Sequence, residues 1–251
     1  MTAIAPIVPG LCSVTFRSLD AATVARHAAD CHLRAIEWGS DVHVPVGDLT
    51  AARGARTICG DLGLVVASYG SYLSAGRIGG VGEVRAVLDT AAELGASNVR
   101  VWAHGAAAAA DLSTICAEAQ DRGLAISLEY HPGTATETAA STNSLLDTAP
   151  GDNLSTYWQP DPSLAPAAAL AELEAVLPRV SHLHVFWWQP DYTRLPLADG
   201  GDLWLPALRL ASGTTGRVAL IEFVRDDDPV QLRADASALH SWLGRLGGRG
   251  S

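Results

Sequence analysis

The sequence predicts a single (β/α)8 barrel. Eight short apolar, strand-like runs recur along the 251 residues at about the spacing of a βα unit. Alanine-rich stretches with apolar residues at helical spacing separate them. No linker or shift of composition interrupts the alternation, so residues 1–251 read as one domain. Hydrophobic residues make up 48% of the chain and charged residues 18%, which supplies a sizeable core and argues against disorder.

The first run is LCSVTF at 11–16, followed by the helical stretch AATVARHAADCH. RAIEWG at 34–39 is the second strand. The next helix, DLTAARGARTICGDLG, starts at Asp48, whose carboxylate can accept from first-turn amides as an N-cap. LVVASYG at 64–70 leads into EVRAVLDTAAELG, which Gly95 is placed to end. NVRVWA (98–103), LAISLEY (124–130), LSTYWQ (154–159), HLHVFWW (182–188) and RVALIEF (217–223) are strands four to eight. A long connection, WQPDYTRLPLADGGDLW, follows the seventh strand, on the face where loops shape a barrel's site. DPVQLRADASALHSWLG is the closing helix, and the glycine-rich end GRLGGRGS is expected to fray. The competing arrangement is an open doubly wound sheet, but no G-x-G-x-x-G follows the first strand.

Seventeen basic residues stand against 27 acidic ones, a net charge of −10, so nucleic acid is not expected as a partner. The chain has no lysine. That excludes a Schiff-base, PLP or P-loop lysine, and neither PLP nor a nucleotide is expected as cofactor. Cys12, Cys31, Cys59 and Cys116 are scattered without a CxxC pair and read as reduced, buried thiols. No apolar run approaches the roughly 20 residues that span a bilayer. MTAIAPIVPGLCS lacks the basic and long apolar regions of a signal peptide. A cytoplasmic protein without a membrane partner is the expectation.

Side chains alternate faces along a strand, and catalytic groups in such barrels come from C-terminal strand ends. With Ile126 and Leu128 facing the helices, Ser127 and Glu129 face the axis. With Leu183, Val185 and Trp187 outward, His182, His184 and Phe186 face inward. Ile221 and Phe223 are expected outward and Glu222 inward; Tyr157 and Gln159 share one face. Glu37 is inward between Ile36 and Trp38. Glu129, Gln159, His184 and Glu222 therefore converge at one mouth, on four successive strands. His182 lies deeper and reads as a hydrogen-bonded core histidine. A single strand-end Glu is more often solvated or paired with an arginine; the four together point to a site.

At these residues the chain resembles the xylose isomerase-like TIM-barrel family of sugar (phosphate) isomerases and epimerases. LEYHPG, SHLHVF, LIEF and RAIEWGSDVHVP carry the resemblance, which covers nearly the whole chain. It implies a divalent metal (Mn2+, Mg2+ or Co2+) held by Glu129, Gln159, His184 and Glu222, with Glu129 and Glu222 as the acid/base pair for proton transfer next to a carbonyl. The family usually has Asp where this chain has Gln159, a neutral amide that cannot act as a base; Asp161 is the competing donor. The substrate implied is a small sugar-like molecule, and His131 resembles the family's substrate-contacting histidine; Glu37, His43, Trp102, His104 and Arg194, at strand ends and in loops of the same face, are the other candidate contacts. Homo-oligomerisation is left open. Three other readings stand beside the isomerase: a lyase or dehydratase on the same scaffold, a ligand-binding barrel without turnover or metal, and an AP-endonuclease-like nuclease. The acidic charge balance argues against the last.

Overall fold

A computed structural model describes residues 7–149, 151–213 and 216–247, so the end of the tail, 248–251, lies outside the described residues. Eight parallel strands close a barrel in chain order. They are β1 (Ile7–Cys12), β2 (Ala35–Gly39), β3 (Val65–Ala75), β4 (Asn98–Ala103), β5 (Ala125–Leu128), β6 (Leu154–Trp158), β7 (Val180–Val185) and β8 (Arg217–Ile221). The helices after them are α1 (Ala21–Asp30), α2 (Leu49–Asp61), α3 (Val81–Leu94), α4 (Ala108–Gln120), α5 (Ala139–Thr148), α6 (Pro166–Val176), α7 (Gly201–Ala211) and α8 (Pro229–Gly247). None of the described helices is long and apolar enough to cross a membrane.

Local signals place the helix ends. Asp48 Oδ1 accepts from Ala51 N at 2.9 Å at the start of α2, and Asp20 Oδ1 accepts from Thr23 N at 2.7 Å at the start of α1. Gly95 ends α3 at φ +76°, a left-handed conformation that costs glycine little. The first strand differs from expectation. Its parallel pairing with β2 ends at Cys12, and residues 13–16 wind into a 3-10 turn instead of extending it.

Ile36, Trp38, Val101, Leu128, Leu183 and Ile221, on the outer strand faces, join the helices in one apolar core. Burying each such side chain contributes about 1.5–3 kcal/mol. The barrel interior is polar where such barrels are usually filled by branched apolar residues. Ser127 Oγ lies 2.8 Å from Asn98 Oδ1, 2.7 Å from Ser155 Oγ and 2.9 Å from Ser181 Oγ. One layer up, Tyr157 accepts from Asn98 Nδ2 at 3.2 Å and donates to Glu37 Oε2 at 2.8 Å. His182 stacks on Tyr157 with centroids 4.7 Å apart. Its Nδ1 is buried without a partner, so the core place expected for it is held by stacking. Burial pushes its pKa down to about 4, which keeps the ring neutral near pH 7.

Phe223 departs from the alternation. Hydrogen-bonded β8 ends at Ile221, and Phe223 takes φ +52°, an uncommon left-handed conformation for a bulky side chain. Its amide donates to Thr15 Oγ1 at 3.0 Å, and its ring turns into the barrel mouth instead of outward. The long connection after β7 folds back on itself. Trp188 bridges Arg194, and Leu195 N donates to Trp187 O at 2.9 Å, which presents Trp188 to the mouth.

Candidate active site

Glu129, Gln159 and Glu222 each stand one residue beyond the end of a strand, where the backbone is still held. Glu129 N donates to Val101 O at 2.9 Å and Glu222 N to Val185 O at 3.0 Å. His184 is inside β7 and fully buried. Its Nδ1 lies 3.0 Å from Gln159 Oε1, and Glu222 Oε2 and Glu129 Oε1 lie 3.3 and 3.8 Å from the same nitrogen. Asp161, the competing donor, turns away and accepts from Ser163 N at 2.8 Å within its own loop.

Arg100 supports this cluster from β4. Its Nε donates to Glu37 Oε1 at 3.0 Å and its Nη1 to Glu129 Oε2. Both side chains of the Arg100–Glu37 pair are under 5% exposed. Burial works against charge on Glu37, but the Arg100 guanidinium, His184 and Ser68 outweigh it and hold its carboxyl well below the usual range. Burial likewise opposes charge on Arg100, which the carboxylates of Glu37 and Glu222 hold protonated. Gly70 makes room for the pair. A Cβ there would lie 2.8 Å from Glu37 Oε1 and 2.9 Å from Arg100 Nη2. Gly70→Ala is expected to cost about 1–3 kcal/mol through overpacking, read as a lower unfolding midpoint; an unchanged midpoint would show that the pair relaxes freely.

The cluster fits a divalent cation on three counts. Neighbouring ligand atoms around a cation at about 2.1 Å lie about 3.0–3.4 Å apart, close to the spacings around His184 Nδ1. Three carboxylates (Glu37, Glu129, Glu222) against Arg100 leave a formal charge of −2. Behind the imidazole, Nε2 is buried without an aligned hydrogen bond, and Glu37 Oε1 lies 3.4 Å away. A carboxylate behind a ligating histidine orients the ring. Cys12 adjoins the cluster: Cys12, His184 and Glu222 offer ligand atoms within 4.8 Å of one another. Burial, then the charges of Glu37 and Glu222, push its thiol far above the usual range.

Above the cluster opens a cavity of about 240 Å3, with Arg100, Glu129, Gln159 and Glu222 among its lining residues. Trp102, His131, Phe186, Trp188, Phe223 and Tyr72 supply its aromatic walls.

No family model and no curated relative matches the chain. Solved structures do. The probable 3-DHS dehydratase AsbF of Bacillus anthracis is 16% identical with a TM-score of 0.78, over 93% of this chain and 99% of that one. D-allulose 3-epimerase from Methylomonas sp. is 14% identical with a TM-score of 0.68, over 97% and 100%. A xylose isomerase-like TIM barrel from Mycobacterium smegmatis, in complex with magnesium, is 15% identical with a TM-score of 0.67, over 96% and 98%. The chain has the xylose isomerase-like barrel fold. At these identities the likeness is one of fold.

Within this xylose isomerase-like barrel, the six residues read as substrate contacts fall into two groups. Trp102 and His131 line the cavity, their rings 4.9 Å apart. Glu37, His43, His104 and Arg194 do not line it. Glu37 lies beneath His184. His43 is buried between Ser13 Oγ at 3.1 Å and Leu19 O at 3.0 Å, which ties down the loop after β2. His104 Nδ1 lies 2.7 Å from Ser74 Oγ. Arg194 donates to Asp227 Oδ1 at 2.5 Å and sits over the Phe223 ring, 4.8 Å from its centroid. Arg100 was absent from the sequence-derived candidates, although Asn98, Arg100 and Trp102 alternate with outward Val99 and Val101.

Proposed function

We propose that this barrel catalyses proton transfer at the carbon next to a carbonyl in a small hydroxyketone, an isomerisation or epimerisation. Glu129, Gln159, His184 and Glu222 would hold a divalent cation: Mn2+, Mg2+ or Co2+. The observation that carries the reading is the convergence of three side-chain oxygens on His184 Nδ1 at 3.0, 3.3 and 3.8 Å, beneath an aromatic-walled cavity. When bound there, a divalent cation polarises the carbonyl and takes up the negative charge that develops on it. Glu222 accepts the carbon-bound proton and can return it to the neighbouring carbon; for inversion, Glu129, across the cavity floor, takes up a proton from solvent and delivers it to the opposite face. Arg100 fixes the Glu129 carboxylate, and the aromatic walls shield the reacting carbon from water. The epimerase activity named for the Methylomonas structure and the magnesium of the M. smegmatis one accord with this reading.

A second reading, dehydration, is favoured by His131. Its Nδ1 donates to Pro132 O at 2.7 Å, which leaves Nε2 uncommitted in the cavity wall as a third proton-transfer group. Loss of water needs such a group, because a proton must leave carbon while another reaches the departing hydroxyl. The dehydratase named for the B. anthracis structure accords with it.

The test is incubation in D2O with each of the three metals and a panel of ketoses and cyclic hydroxyketones. The expected result is a non-exchangeable deuterium at carbon, seen by NMR. Conserved product mass marks isomerisation, and loss of one water marks the second reading. No carbon-bound deuterium with any metal or compound would sink the first reading, and no loss of water from any of them the second.

A further inference from the structure

We infer that the cavity takes a small, unphosphorylated monocyclic ketone, its ring faces held between aromatic walls and its oxygens at the ring edge. This rests on the proton-transfer reading of the same site and names its substrate class. β4 and β8 stand opposite each other in the closed ring of eight, so Trp102, following Arg100 toward the mouth, and Phe223, beyond β8, occupy opposite walls. His131 extends the Trp102 wall at 4.9 Å between centroids. Phe186 and Trp188, stacked at 4.3 Å, extend the Phe223 wall, with Trp188 5.8 Å from Phe223. The volume of about 240 Å3 is below the usual ~300–1,000 Å3 of ligand pockets. A cavity of that size suits one six-membered ring with its substituents rather than a long chain.

The surroundings disfavour phosphate. Barrels that bind it commonly do so with the loops after strands seven and eight. Here the turn after β8, Arg225–Asp227, is followed by Asp228, so three consecutive aspartates stand where a phosphate would dock. The arginines bordering the mouth are already matched by carboxylates: Arg17 by Asp41 at 2.6 Å and Arg194 by Asp227 at 2.5 Å. Arg100 is spent on Glu37 and Glu129.

Isothermal titration of the Mg2+-loaded full chain with 2-hydroxycyclohexanone, D-fructose and D-fructose 6-phosphate tests this. The ring ketone should bind at least tenfold tighter than D-fructose 6-phosphate, and the phosphate should weaken binding relative to D-fructose. Trp102→Leu or, should that variant fail to fold, Phe223→Leu should weaken the ring ketone about tenfold and D-fructose less than twofold. The inference is overturned if D-fructose 6-phosphate binds as tightly as the ring ketone, if the ring ketone does not bind, or if neither variant weakens it. Because this assay reads binding, deuterium exchange with the slot preference absent overturns the substrate class alone. The slot preference without any exchange overturns the reaction alone.

Discussion

Glu222→Gln is expected to lower the rate of carbon-bound deuterium exchange by about 10²–10⁴-fold, the usual contribution of a positioned general base. The amide is nearly isosteric and keeps a carbonyl oxygen for a cation, but it cannot accept a proton from carbon. Glu222 is the better placed of the two carboxylates for the first proton. Glu129 commits Oε2 to Arg100 and turns Oε1 toward His184. Glu222 approaches the cluster through Oε2 and has no arginine partner among the described ion pairs. Its position beyond β8 is set by its own amide on Val185 O and by the left-handed Phe223 that follows, so the substitution leaves the backbone undisturbed. Glu129→Gln should also slow exchange, and in addition lower the unfolding midpoint, because it strips a buried guanidinium of a partner. Exchange at the wild-type rate in Glu222→Gln would remove Glu222 from the acid/base pair.

Much of this site was legible because the strands of a closed barrel alternate strictly between two environments. Ser127, Glu129, His184 and Glu222 are polar residues at every second position beside apolar neighbours, and register alone sends them to the axis. The pattern failed where hydrogen-bonded pairing ends. Residues 13–16 keep an alternating apolar character but wind into a 3-10 turn, because β1 has no partner beyond Cys12. Phe223 follows the outward parity of Ile221, yet one left-handed residue reverses it and makes an aromatic wall of the cavity. Such a conformation depends on the Thr15 hydroxyl that holds the Phe223 amide, a contact 208 positions away in sequence.

Arg100 was hidden for a different reason. An arginine in a strand is ordinarily a surface residue, and burying a guanidinium is costly unless partners meet it. Those partners are Glu37 on β2 and Glu129 beyond β5, each one or two strands away. Closure of the barrel brings them together, and only the register says so. The same register changes the meaning of Glu37. Read as a substrate contact, it accepts from Tyr157, Ser68 and Arg100 below the cavity and stands behind His184. The loss of charge where the resemblance expects Asp and this chain has Gln159 is therefore weighed against a larger set. With Arg100 balancing Glu37, two further carboxylates remain for a divalent ion.

Arg100→Met tests that arrangement with the largest expected effect on stability, a loss of about 3–5 kcal/mol at pH 7. The methionine fills much of the volume, but Glu37 and Glu129 are left as buried carboxylates without a counter-charge. The pH dependence follows from Glu37. In the wild type its folded pKa lies below the ordinary value, so its contribution is complete above the unfolded pKa of about 4.3 and is lost as the pH falls toward the folded value. In the variant the guanidinium that outweighed burial is gone, and burial alone favours the protonated carboxyl. The variant is then most penalised at neutral pH and recovers as acid neutralises the carboxylates. Urea unfolding at pH 7 and pH 4.5 should show the gap between the two proteins narrowing on acidification. A double variant, Glu37→Gln with Arg100→Met, should recover part of the loss at pH 7, since the orphaned charge is removed with its partner. A gap below about 1 kcal/mol at pH 7, or one that widens in acid, would mean that the two carboxylates do not depend on Arg100. Glu129 would then owe its orientation in the cavity floor to His184 and the backbone, not to the arginine beneath it.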